Sequence, residues 1–494
     1  MARKYPEKYS KYLVIDAALI TTFTAVIVIF LWSIVDAVDF FNPIDDYIDN
    51  FDYSDIVYSE MSHKDDIYKT DTNIYIVNFG HLNRGEMAQM INKIQEFEPK
   101  VIGIDAVFKD TKCYKIPEED IESLKTLEQE IANYKNLLFF RPDNEDLQNK
   151  MNDAEQKFED ILRNNNIENY EEIKDDIALR EALNAKPNIV MGAFGQYDDI
   201  NDKAIGIEKT NSFFGDFPIG HLEFSRNNGR IYRDFDKFIR YFDKNNDTIT
   251  INSFSAEIVR RYDNDLFLKF AKRNNKQEET INFRGGSMPF IKIDYEDVID
   301  SCNVSMLSKL KGKIVLLGYL GMYDGAPMDS EDAFYTPLQR CEGFDAKGIE
   351  IHAHIISMIM NDDCLITLEP WQNELIAFII TFFFVLWLVY WYVFGAKFFD
   401  ILSKPIQFIL VGVVLIISYY MFKKFGIKID MMPTGIMLIF CIEVLYLYEE
   451  TLELFKIDSF ITQTFKYTKD ERNKVLRSIV RFEFIRNKFK RSNK

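Results

Sequence analysis

Three places in the sequence hold side chains whose types could do chemistry. Asp105 follows the apolar run VIGI, at the carboxyl end of a buried strand, where open parallel sheets place ligand-contacting groups; its alternative role is a cap or turn. Arg284, in NFRGG, offers a fixed fork of donors suited to a carboxylate or phosphate, and Gly285 and Gly286 permit a sharp turn; an internal salt bridge is the other reading. Glu350, His352 and His354 form an ExHxH string. On a helix, i and i+2 side chains point apart, unlike the i and i+4 pair of HExxH, so the string predicts structural histidines rather than a metal site. VLLGYLG, Val315 to Gly321, is a strand followed by glycines, but it has neither GxGxxG nor a GK[ST] ending, which argues against a nucleotide loop. The five cysteines show no CxxC pair and no Cys/His spacing for zinc. Up to two disulfides suit an exported region, and free thiols suit it equally. No nucleophile–base pair, metal or cofactor is expected.

The elements that would position these residues are those of an α/β domain with a mainly parallel sheet. NIYIVNFG (Asn73 to Gly80) and KVIGIDAVF (Lys100 to Phe108) read as buried strands. Between them Met87, Met90, Ile91, Ile94 and Phe97 recur at helical spacing, giving a βαβ unit. A helix from Asp175 to Asn184 precedes a strand from Asn188 to Phe194, and further strands are expected at Thr248 to Ile251, Thr280 to Phe283 and Lys313 to Gly318. Residues 118–170 differ. Leu124, Leu127, Ile131, Tyr134 and Leu138 keep a three-four spacing, and Leu147, Met151, Ala154, Phe158 and Leu162 nearly repeat it after RPDNED, which predicts an inserted helical hairpin. A docking arm, a dimer contact and a hairpin packed on its own domain are all compatible with that pattern.

Four apolar runs frame this domain: 13–35, 371–394, 405–422 and 431–448, each near the ~20 residues that cross a bilayer. Arg3, Lys4, Lys8 and Lys11 precede the first, so residues 1–12 are expected in the cytoplasm and the run as an uncleaved anchor, the rival being a signal peptide. Residues 39–370 are then extracytoplasmic, and the basic tail, 449–494, is cytoplasmic; Lys423, Lys424 and Lys428 in a short outer loop fit less well. A net charge of −18 argues against nucleic acid as a partner.

The order of these pieces resembles the type-2 CHASE domain, an extracellular sensory module of bacterial cyclases and kinases. The residues that carry the likeness are EPKVIGIDAVF, INFRGG (Ile281 to Gly286), KLKGKIVLLG (Lys309 to Gly318), YTP (Tyr335 to Pro337) and GIEIHAHIISMI (Gly348 to Ile359), with one span before and three after. The resemblance implies a sensor fold and makes Asp105, Arg284, Thr336, Glu350 and His352 candidates for ligand contact. Family members usually carry an effector domain beyond the last span, whereas roughly 45 residues follow Tyr448 here, fewer than an independent domain needs. The expectation is therefore a non-catalytic receptor in the bacterial cytoplasmic membrane, signalling through a separate protein; a structural subunit of an envelope complex is the alternative, and self-association is compatible with both. On a tail helix, Val475, Ile479, Phe482 and Phe489 form an apolar stripe among basic residues, so Arg477, Arg481 and Arg486 are candidates for partner contact.

Overall fold

A computed structural model describes residues 10–37, 52–62, 70–168, 170–198, 204–225, 231–242, 247–274, 276–285, 288–300, 303–322, 330–338, 345–394, 399–455, 457, 459 and 461. The tail residues Arg477, Arg481 and Arg486, and the cysteines Cys302 and Cys341, lie outside them; Cys113, Cys364 and Cys441 are free thiols. The chain divides into two compact units, residues 58–364 and residues 1–57 with 365–494.

In the first unit the sheet strands are β1 (Asp71–Asn78), β2 (Val101–Ile104), β3 (Ile189–Tyr197), β4 (Ala204–Glu208), β5 (Ile219–His221), β6 (Phe290–Asp294) and β7 (Ile314–Gly318). Their order is β6-β1-β7-β2-β3-β4, with β5 also on β3; every pairing is parallel except β3 with β4. The strands β2 and β7 are buried along their whole length, as befits a parallel sheet covered on both faces. Helix α1 (Arg84–Glu96) starts in a capping box, in which Asn83 accepts from the Glu86 N–H at 2.8 Å and Glu86 accepts from the Asn83 N–H at 2.9 Å. It buries Met87, Met90, Ile91 and Ile94 against Tyr75 and Val77 of β1 and their neighbours on the same sheet face. Gly103, on the opposite face of β2, meets Phe254 and Ile258, so the helix Phe254–Tyr262 covers the other side.

The βαβ unit is real but not closed on itself. β1 and β2 are not neighbours: β7, far later in the chain, pairs with both and separates them. Two expected strands lie outside the main sheet, because Thr248–Asn252 pairs with Phe238–Phe242 and Glu278–Thr280 pairs with Asp234–Asp236.

Helices α2 (Glu118–Phe140) and α3 (Glu145–Asn164) are joined by four residues and lie against each other, with Lys135 and Glu155 paired at 3.1 Å across the seam. At the root, Ile121 and Leu124 are buried with Cys113, Ile116, Ile173 and Ile177, the last two from α4 (Tyr170–Asn184). Toward the turn, burial falls away; Phe139 and Phe140 are 82% and 81% exposed.

The second unit holds the helices Ser10–Ala37, Pro370–Phe394, Phe399–Phe425 and Met432–Phe455. Among the described residues these four are long and apolar enough to cross a membrane. The third begins six residues before Pro405 rather than at it, so the proline sits inside a helix. Several polar groups within the bundle find partners: Tyr448 donates to Asp16 at 3.1 Å, Gln407 donates to the Ile439 carbonyl at 2.8 Å, and Lys404 pairs with Glu443 at 3.0 Å.

Candidate functional site

The carboxyl ends of β2, β3, β5 and β7 open into a cavity of about 580 Å³, the place where open parallel sheets hold ligands. Asp105 comes from the end of β2 and Tyr319 from the end of β7. Leu222, Glu223 and Phe224 follow β5, while Glu331, Asp332 and Phe334 enter from the segment before α5, the helix Gly348–Met360. Gly348 and His352 of that helix complete the wall.

Two glycines set the close packing that makes this possible. A Cβ on Gly318 would stand 2.5 Å from the Ile349 Cβ, so the VLLG strand and the GIEIHAH helix touch only because that residue is bare. A Cβ on Gly348 would stand 2.9 Å from both Asp332 carboxylate oxygens, and the bare helix start instead donates its N–H to Asp332 at 3.1 Å. Asp332 therefore sits on the positive end of α5, though it adopts a left-handed φ of 46° to do so.

The acids here are held away from their ordinary behaviour. Burial, and then the negative field of Asp332, push the Asp105 carboxyl up to about 8. Its carboxyl has no hydrogen-bond partner among the described residues. Asp332 is pushed up to about 6 by burial, against the Gly348 N–H and the Lys347 charge, which favour its ionised form. Glu223 goes the other way: burial raises it, but the His221 ring 3.6 Å away and the Gly195 N–H that donates to it outweigh that and hold it below the usual carboxylate range. His352 is 2% exposed, and burial, followed by the neighbouring His221, pushes it down to about 3. It is a neutral imidazole at physiological pH, with Nδ1 2.9 Å from the Ser255 hydroxyl and its ring against Phe224 and Phe254.

The structure brings two of the five sequence-derived candidates, Asp105 and His352, to this cavity and places the other three elsewhere. Arg284 donates from Nε to the Ser357 hydroxyl at 2.9 Å and forks onto both oxygens of Asp363. Thr336 is buried, with its N–H donating to Asp345 at 2.6 Å and its hydroxyl donating to the same carboxylate. Glu350 accepts from the Lys347 N–H at 2.9 Å and pairs with Lys292 at 2.6 Å. His354 faces away from His352, accepting the Arg284 backbone N–H at 3.0 Å between the rings of Phe283 and Phe290. Among the described residues no group of three or more His, Cys, Asp and Glu side chains converges as a metal site.

The sequence did not point to Glu223, Phe224, Tyr232 or the pair Glu331–Asp332. No local signal marks them: Asp332 stands sixteen residues before the Gly348 whose N–H it accepts, and only the fold brings the two together.

No curated protein and no solved structure matches the chain. The model of the CHASE2 domain matches residues 66–396, most of the chain, and runs from before β1 through the helix Pro370–Phe394. The chain thus belongs to the CHASE2 family, as a membrane protein carrying that family's sensor domain.

Proposed function

We propose that this protein is a receptor of the bacterial cytoplasmic membrane, in which residues 58–364 face the extracytoplasmic side and bind a ligand in the cavity at the strand ends. The observation that carries this reading is the convergence of Asp105, Asp332 and His352 there, three titratable groups with shifted protonation in one cleft. In this reading Asp105 and His352 meet the ligand. Arg284, Thr336 and Glu350 instead tie α5 and its flanking segments in place, so that occupancy at one end of the helix is felt along it. The hairpin α2–α3 is an insertion in the family fold. Output passes to a separate protein through the basic tail, with Arg477, Arg481 and Arg486 as the contact.

Topology is tested by labelling single cysteines at Ser123 and Lys490 with an impermeant reagent in intact cells; Ser123→Cys labels and Lys490→Cys does not. Signalling is tested by comparing proteins captured in mild detergent by the native chain, by Asp105→Leu and by the triple reversal of Arg477, Arg481 and Arg486 to Glu. The expected result is an altered partner profile in the first variant and loss of recruitment in the second. A fixed-stoichiometry partner set indifferent to both supports the second reading, a structural envelope subunit, which the exposed aromatic tip of the hairpin favours.

A further inference from the structure

The cavity wall is chemically one-sided. Asp105, Glu223, Glu331 and Asp332 bring four carboxyl groups to it, and among the described lining residues there is no lysine or arginine. The nearest buried cation, Lys347, is 1% exposed; its ammonium donates to the Glu331 carbonyl and lies 4.9 Å from the Tyr319 ring centroid. The remaining wall is aromatic. Phe224, Tyr232 and Phe334 pack edge to face with ring centroids 4.9 to 6.0 Å apart. Among the described lining residues an anion would meet four carboxyl groups and, behind them, the one ammonium of Lys347, whereas a cation would meet both negative oxygens and ring faces.

A second observation points the same way. His221 is fully buried, and Nδ1 lies 3.6 Å from Glu223 Oε2; among the described residues neither its ring nitrogens nor that oxygen has a hydrogen-bond partner. Orphaned polar atoms are scarce in native interiors. Here they back a lining acid, Glu223, whose other oxygen is already fixed by the Gly195 N–H. Glu223 is thus built into the wall from behind, while Glu331 and Asp332 stand exposed at its rim.

We propose that the cavity binds a small organic amine, with its ammonium between Asp105 and Asp332 and its apolar body against Phe224 and Phe334. This rests on the reading of the cavity as the sensing site and adds the ligand's class. Asp105 shares the cavity wall with Asp332, Glu331, Glu223, Tyr232, Tyr319 and the neutral His352; Lys347 lies beneath them, His81 lies 3.6 Å from Glu331, and His221 stands behind Glu223. Because Asp105 holds its proton up to about pH 8, an arriving ammonium ionises it, and the proton leaves to solvent. Affinity for the amine therefore rises from pH 6 to pH 8.5, and binding at pH 7 releases protons.

The test is calorimetric titration of the purified full chain with three probes that share a phenyl body: 2-phenylethylamine, 2-phenylethanol and 3-phenylpropanoate. Two buffers of different ionisation heat count the protons. The amine is expected to bind about tenfold or more tightly than the alcohol, with the carboxylate weakest. Asp105→Asn, which keeps the shape of the protonated acid, is expected to lower amine affinity about tenfold and to remove the pH dependence above about pH 7, leaving only the smaller rise near pH 6 that Asp332 supplies. Asp332→Asn is expected to lower affinity similarly, and an unchanged unfolding temperature certifies the fold of each variant. Equal or tighter binding of the alcohol or the carboxylate overturns the proposal, as does no amine binding up to about 10 mM. The two readings fail separately: an altered partner profile in Asp105→Leu together with no amine preference in the native chain sinks the ligand class alone, and an unaltered profile without amine binding by the native chain sinks both.

Discussion

The two ends of α5 carry similar residue types and use them in opposite ways. At its last turns, Arg284, Ser357, Asp71 and Asp363 form a closed set, in which the Ser357 hydroxyl donates to Asp71 at 2.6 Å and accepts from Arg284. At its first turn, Asp105 faces a cavity with its carboxyl unpartnered among the described residues, and Asp332 is held only from the helix start. Residue type alone does not separate a ligand group from a structural one. What separates them is whether the protein has already supplied the partner, since a paired charge is neutralised in place while an unpaired buried acid keeps its proton until something else arrives.

The sharpest way to break that contrast is to remove Arg284. Arg284→Ala leaves Asp363 without its fork and the Ser357 hydroxyl with only the longer bond from the Asn361 amide, at 3.3 Å, and it should destabilise residues 58–364 by about 2 kcal/mol. Both partners retain some solvent contact, which keeps the effect below that of a fully buried pair. Thermal unfolding of the purified full chain measures it. A change under ~0.5 kcal/mol would mean that the closed set does not hold α5.

Asp105→Asn should do the reverse, and its effect should depend on pH. The folded-state value of Asp105 lies above its ordinary one. Its retained proton therefore favours folding fully below the ordinary carboxylate range, and that contribution is lost as pH rises toward about 8. The native chain should lose stability between pH 5 and pH 8, and the asparagine variant, which cannot ionise, should lose less. Unfolding temperatures at pH 5, 6.5 and 8 decide; parallel curves for the two proteins would place the titration elsewhere.

Much of this was legible in the sequence, for identifiable reasons. The strand–helix–strand run from β1 to β2 is written in continuous β-branched residues and in a helical period at Met87, Met90, Ile91 and Ile94. Asp105 was legible because it ends a buried strand. The pairing of β1 with β2 was not, because β7 enters between them from more than two hundred residues later and no local signal encodes that partner. The same holds for the cavity. Glu223 and Asp332 stand in segments with no periodicity, and only the return of the chain after β5 and before α5 brings them to Asp105.

The smallest expected effect lies at the tip of the hairpin, where the contrast between paired and unpaired groups has an apolar counterpart. At the root, Ile121 and Leu124 are buried with α4, so the helical spacing there reports a core. At the tip, Phe139 and Phe140 are exposed and pack on each other edge to face at 5.3 Å, so they bury little that folding could use. Replacing both with Ser should change unfolding by no more than about 0.5 kcal/mol, whereas Leu124→Ala should cost about 2–3 kcal/mol because it empties a closed cluster. The two variants together sort the hairpin into a structural root and a tip free for other contacts. A large loss from the tip variant would show that these rings already have a partner within the folded protein. A negligible loss from Leu124→Ala would show that the root is not anchored to α4, leaving the hairpin held by its own seam of half-buried side chains.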